Sequence, residues 1–223
     1  MHDPALARLA LAESITVLQR TDATYDWREA FHAPAAFGNR EEEAVPGFAK
    51  LFVDQVRGVL EKDVYARLVE SIIDVWQAMS VETTFAEAVV VDEATFLATR
   101  ARTVGLRPFF VLVEAAAGVE LTGLEEEEVK TRVALAVALQ NDVLGLRRDL
   151  EMREGRNYVA VCSRVAGRGL AWGLEKAAVV HNEAEAEAVG AWRRAGEGGK
   201  GVVGEMVGFV GRHWGFVAGG MGR

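Results

Sequence analysis

The chain reads as an all-α protein, a helical bundle, and three observations predict it. Apolar residues recur at helical spacing along every long segment. No segment alternates apolar and polar residues for long enough to compete as a half-buried strand. With 223 residues, 50% hydrophobic and 26% charged, the chain can bury one substantial core, so a single domain over 1–223 is expected.

Pro4 to about Arg20 carries Leu6, Leu9, Ala10, Ile15 and Leu18 as a helical stripe. A polar connection containing Pro and Gly runs from Tyr25 to about Pro46. Phe48, Leu51, Phe52, Val56 and Leu60 predict a short amphipathic helix, and Val64, Leu68, Ile72, Val75 and Trp76 the next. Thr84 to Arg102 reads as a further helix on Phe85, Val89, Phe96 and Leu97. Gly105 and Pro108 interrupt the pattern, which breaks the hydrogen-bond ladder and frees carbonyls that a cavity could use.

A long helix is expected from Glu127 to about Glu154, led by the acidic run Glu125 to Glu128, whose charge complements the positive end of the helix dipole. Arg156 to roughly Val189 reads as one helix with Leu170, Leu174, Ala178 and Val179 on its apolar side. A glycine-rich link over 196–201 leads to a last helix, Val202 to about Val217. The link matches G-x-G-x-x-G, but a helix former precedes it where a dinucleotide site needs a strand.

The stretch from Gln140 to Asp149 carries the chemistry. At roughly 100° per residue, Asn141, Gly145 and Asp149 fall at about 0°, 40° and 80° on the wheel, and Arg148 at about −20°. An amide oxygen and a carboxylate two turns apart, with a glycine between them leaving room for water, make a hard-oxygen edge suited to Mg²⁺. The neighbouring guanidinium of Arg148 suits a phosphate on that metal.

Other residue types exclude alternatives. A net charge of −8 offers no basic stripe for nucleic acid. Cys162 is the lone cysteine, in an apolar run, which rules out Cys-based zinc sites, and His2, His32, His181 and His213 show no ligand spacing. No leader pattern opens the chain and no apolar run approaches about 18 residues, so a soluble, cytoplasmic protein without stable membrane insertion is expected.

The helix break at Arg100 to Phe110, followed by Asn141, Asp142, Gly145 and Asp149, resembles the C-terminal half of class I terpene synthases, particularly the fungal type. In that family a helix break with an arginine pyrophosphate sensor precedes a metal motif written Asn-Asp-x-x-Ser/Thr/Gly-x-x-x-Glu/Asp. The resemblance implies an all-α terpene synthase bundle and assigns Asn141 and Asp149 as metal ligands, with water at Gly145 where a Ser or Thr ligand is usual. It makes Arg148 a pyrophosphate contact, Arg100 the sensor, Thr103 the linker and Val104 the effector whose carbonyl faces substrate.

The resemblance also implies the reaction, a lyase step of terpenoid biosynthesis and so part of secondary metabolism. Mg²⁺ and the arginines stabilise pyrophosphate as it leaves a prenyl diphosphate, farnesyl diphosphate foremost, and the allylic cation cyclises in an apolar cavity. Phe85, Phe96, Phe109, Phe110 and Trp214 are candidate walls. A homodimer is compatible with the family.

Two family features are not found: the aspartate-rich motif that should precede the segment at His2 to Ala5, and the C-terminal Arg-Tyr pair. Asp22 and Asp26 are the nearest substitute for the first. The chain is therefore expected to be incomplete at both ends and to make little terpene alone. The other reading is a helical protein that binds a prenyl diphosphate or a protein partner without turnover.

Overall fold

The structure, a computed structural model, describes residues 4–20, 49–85, 91–152, 155–195, 197 and 199–220, the side chains of residues 4, 6 and 214–220 excepted. It is all-α, with no strand among the described residues. The helices are α1 (Pro4–Gln19), α2 (49–56), α3 (Lys62–Glu82), α4 (Glu93–Thr103), α5 (Leu106–Ala117), α6 (Leu124–Glu151), α7 (Tyr158–Ala166), α8 (Leu170–Arg194) and α9 (Lys200–Gly220).

The long helix α6 is the axis. Every residue from Val133 to Gln140 is buried, on all faces of the helix, as expected where neighbours surround it. Val129, Val133, Val137 and Leu139 join Ala177, Ala184, Ala188 and Ala191 of α8 and Val203, Met206 and Val210 of α9 in the main hydrophobic cluster. The small residues of α8 let the two longest helices lie close together. Phe96 of α4, Phe110 of α5 and Tyr158 and Val159 of α7 close the cluster from the other sides. A second cluster, Val17, Leu18, Ala49, Val53 and Val69, joins α1, α2 and α3.

Two expected helices are corrected by local chemistry. The helix read from Thr84 to Arg102 begins at Glu93, because the Asp92 carboxylate accepts from the Thr95 amide at 2.8 Å and the Thr95 hydroxyl at 2.6 Å and so caps a new start. The preceding helix runs to Glu82, and a turn at 83–85 ends it. The helix read from Arg156 to Val189 is two. Gly167 adopts φ 62°, and Gly167 and Arg168 return their amides to Arg164 and Ser163, a left-handed C-cap that favours glycine.

The interruption at Gly105 and Pro108 is present but narrower than the pattern suggests. Gly105 takes φ 76°, and Pro108 sits in the first turn of α5, where its missing amide removes no ladder bond. No helix among the described residues is long and apolar enough to cross a membrane.

Candidate functional site

Arg100 projects from the last turn of α4 into a buried cluster built by three elements. Its Nη1 donates to Glu82 Oε1 of α3 at 2.6 Å, and its Nη2 and Nε donate to Asp142 Oδ1 and Oδ2 of α6 at 2.5 and 3.3 Å. Thr103, one turn on, accepts from Arg100 Nη1 at 3.2 Å and donates to Glu82 Oε1 at 2.8 Å. Glu82 and Asp142 are buried. Val104 caps α4 through its amide on the Arg100 carbonyl at 3.2 Å and packs against the main cluster.

Two carboxylates share this one deep guanidinium. Burial works against the Arg100 charge, but Asp142 and Glu82 together outweigh it and hold Arg100 well above the ordinary arginine range. Burial pushes the Asp142 carboxyl up to about 6, opposed by Arg100 and by the Tyr158 amide, with the Glu82 charge adding to the push.

The network continues along α6. The Tyr158 amide donates to Asp142 Oδ2 at 2.9 Å. Asn157, which is 2% exposed, donates through Nδ2 to the Asp142 carbonyl at 2.6 Å and to Asp149 Oδ2 at 2.9 Å. Arg148 donates to the other oxygen, Asp149 Oδ1, from Nε at 3.1 Å and Nη2 at 2.9 Å. A Cβ placed on Gly145 would stand 3.1 Å from Asp149 Oδ2 and 3.4 Å from Arg148 Nη2, so the glycine leaves a gap beside the carboxylate. Asn141 is exposed one turn earlier.

The structure therefore joins Arg100, Thr103, Arg148 and Asp149 through Asp142 and Asn157, with Gly145 beside Asp149. Asn141 and Val104 lie outside that hydrogen-bonded chain. Glu82, Asp142 and Asn157 carry no role in the sequence reading. One signal was available: on a wheel of roughly 100° per residue, Asp142 stands only about 20° from Asp149, so the two carboxylates share a face.

The donor set suits a hard divalent cation in chemistry: an exposed amide, one carboxylate, and a glycine that puts no side chain between them. It is sparse, since no group of three or more His, Cys, Asp or Glu side chains that could hold a metal occurs among the described residues. Asp22 and Asp26 lie outside the described residues. Of the candidate walls, Phe85, Phe96 and Phe110 are buried in the main cluster, Phe109 is exposed and pairs with Phe209 at 5.9 Å, and the Trp214 side chain is outside the described set. A largely apolar cavity of about 460 Å³, lined by Leu139, Gln140, Val143, Leu174, His181 and Val210 among others, meets α6 on the side opposite the Gly145 gap.

The family model for terpene synthase family 2, C-terminal metal binding, matches residues 11–187, and the chain belongs to that family. Among solved structures it is similar to a single-residue variant of cucumene synthase, with TM-score 0.71, 14% identity and 97% of this chain covering 71% of that one. It is also similar to α-eudesmol synthase, with TM-score 0.60, 18% identity and 92% of this chain covering 66% of that one. At these identities the likeness shows the fold. No curated protein matches the sequence.

Proposed function

We propose that the chain works as a Mg²⁺-dependent class I terpene synthase unit that holds a prenyl diphosphate, farnesyl diphosphate foremost, and assists departure of its pyrophosphate. The observation that carries this reading is the bidentate bond between Arg100 and Asp142. It ties the arginine of the helix break to the residue next to Asn141, so the two motifs keep one register although they are far apart in sequence. Membership of a family described as metal binding supports the cation.

In this reading Asn141 and Asp149 would hold Mg²⁺, with water in the gap at Gly145. Bound there, the cation would neutralise negative charge developing on the pyrophosphate. Arg148, whose side chain is 75% exposed, would contact the anion from the same helix. Arg100, held by Glu82 and Asp142, would fix the helix break against α6 beside the anion site. When the allylic carbon–oxygen bond breaks, its electron pair leaves with the pyrophosphate. The carbocation then closes on its own double bonds and ends by losing a proton or taking up water.

The test is equilibrium binding of geranyl, farnesyl and geranylgeranyl diphosphates with and without Mg²⁺, followed by extraction of products. Saturable binding that requires Mg²⁺ supports the site, and hydrocarbon or alcohol products with released pyrophosphate distinguish the synthase from a protein that binds without turnover. Binding indifferent to Mg²⁺ would remove the assignment.

A further inference from the structure

The Asn157 side chain uses its whole hydrogen-bonding capacity. One Nδ2 hydrogen goes to the Asp142 carbonyl and the other to Asp149 Oδ2. Oδ1 accepts from the Val159 amide at 3.0 Å and the Ala160 amide at 3.4 Å, capping α7. The opposite amide orientation would set Oδ1 against a carbonyl and a carboxylate, so the network fixes which end faces α6. The next residue, Tyr158, gives its amide to Asp142 Oδ2, the carboxylate that holds Arg100.

Two donors of different character hold Asp149, one on each oxygen. Asn157 is buried and cannot move without uncapping α7. Arg148, on the other oxygen, carries a largely exposed guanidinium on a flexible stem. Only the buried donor can hold the carboxylate beside the gap at Gly145 if a cation draws Oδ1 away from Arg148.

We propose that Asn157 is a positioning residue of the metal edge: its amide sets the Asp149 carboxylate next to Gly145 and locks it to Asp142, keeping the cation side and Arg100 in one register. The proposal rests on Asp149 being a ligand, as in the proposed function. Partners that orient a ligating carboxylate typically tune metal affinity by about 10–100-fold.

The experiment titrates MnCl₂ into the 223-residue chain with inorganic pyrophosphate present, reading free Mn²⁺ by electron paramagnetic resonance. Asn157→Ser keeps an oxygen that caps α7 but is too short to donate to Asp149. Val159→Ala removes core packing from the same helix, at a residue 0% exposed, without touching Asp149. The expected result is a loss of Mn²⁺ affinity of about 10–100-fold in Asn157→Ser and parent affinity in Val159→Ala. Parent affinity in both would overturn the proposal and leave Asn157 a helix cap. Equal loss in both would overturn it too, by tracing the effect to stability. Absence of Mn²⁺ binding in the parent would instead overturn the metal reading on which it rests.

Discussion

Two buried charge clusters of opposite make-up sit on the helices that flank the break between α4 and α5. At Glu114 of α5, a carboxylate 1% exposed meets two cations, Arg67 of α3 and Lys130 of α6, the latter at 3.1 Å. Lys130 also donates to the Leu121 carbonyl at 2.7 Å, and Glu120 and Glu127 lie at the rim. That cluster closes on itself and pins the turn joining α5 to α6. At Arg100 one guanidinium meets two buried carboxylates, and Arg156, at 3.9 Å from Glu82 Oε2, approaches from α7's side. This second cluster stays open: through Tyr158 and Asn157 it runs on to Asp149, Arg148 and the exposed edge of α6. The first has the form of a fastening, and the second that of a fastening continued into a site.

The largest effect should come from breaking the closed cluster. Glu114→Ala leaves Lys130 and Arg67 without their shared carboxylate, and loss of one member of a buried pair typically costs about 3–5 kcal/mol. Urea unfolding should show that loss. The soluble fraction should keep the parent response to Mg²⁺ and pyrophosphate, and a changed response would erase the distinction between the clusters.

Asp142→Asn sharpens the contrast through pH. The folded Asp142 carboxyl titrates near 6, above the ordinary aspartate value of 3.8, so between those values the native state binds more protons than the unfolded chain. Stability from this group is therefore present at low pH and lost as pH rises through about 6. The parent should lose stability relative to Asp142→Asn between about pH 4 and pH 6, with the difference flat above. Parallel curves from denaturant titrations across that range would mean that burial does not raise the Asp142 carboxyl.

Arg148→Ala should move two affinities in opposite directions. Removing the guanidinium frees Asp149 Oδ1, so Mn²⁺ alone should bind a few-fold more tightly, while pyrophosphate should bind about tenfold more weakly for the loss of one charge-assisted contact. Calorimetric titrations of each ion separate the two. Gly145→Ser should have the smallest effect. A helix-interior glycine is replaced at a gain of a few tenths of a kcal/mol, and the added hydroxyl beside Asp149 should tighten Mn²⁺ binding a few-fold, read by the same Mn²⁺ titration; unchanged or weaker binding would count against a cation at this edge.

Much of this arrangement was legible in the residues because it is periodic. The stripes that bury α6, α8 and α9 repeat at helical spacing, and Asn141, Gly145 and Asp149 follow the same repeat. The helix start at Asp92 and the break at Gly167 were harder to see, since each depends on a single residue, a short side chain folding back onto nearby amides or a left-handed glycine, while the surrounding apolar pattern runs on. The Arg100 cluster was out of reach for another reason. Glu82, Arg100 and Asp142 come from three helices, and nothing in the local pattern of any one marks it as buried with the others. For the same reason, Arg100 carries structural weight that the motif alone does not suggest: truncating it would leave two buried carboxylates uncompensated, so its loss mixes stability with binding.

Asn141 is free of that difficulty, because its side chain is exposed and stands outside the network. In the proposed reading Asn141 and Asp149 form a cation site serving a diphosphate. That claim is tested most directly by thermal melting of the parent and of Asn141→Ala against Mg²⁺, pyrophosphate and both together. A ligand that binds only the native state raises its stability by mass action. The parent should melt higher only with both ions present, and Asn141→Ala should melt like the parent without them and need roughly tenfold more Mg²⁺ to gain the same rise. A parent indifferent to the pair, or a variant with an unchanged Mg²⁺ requirement, would contradict the claim.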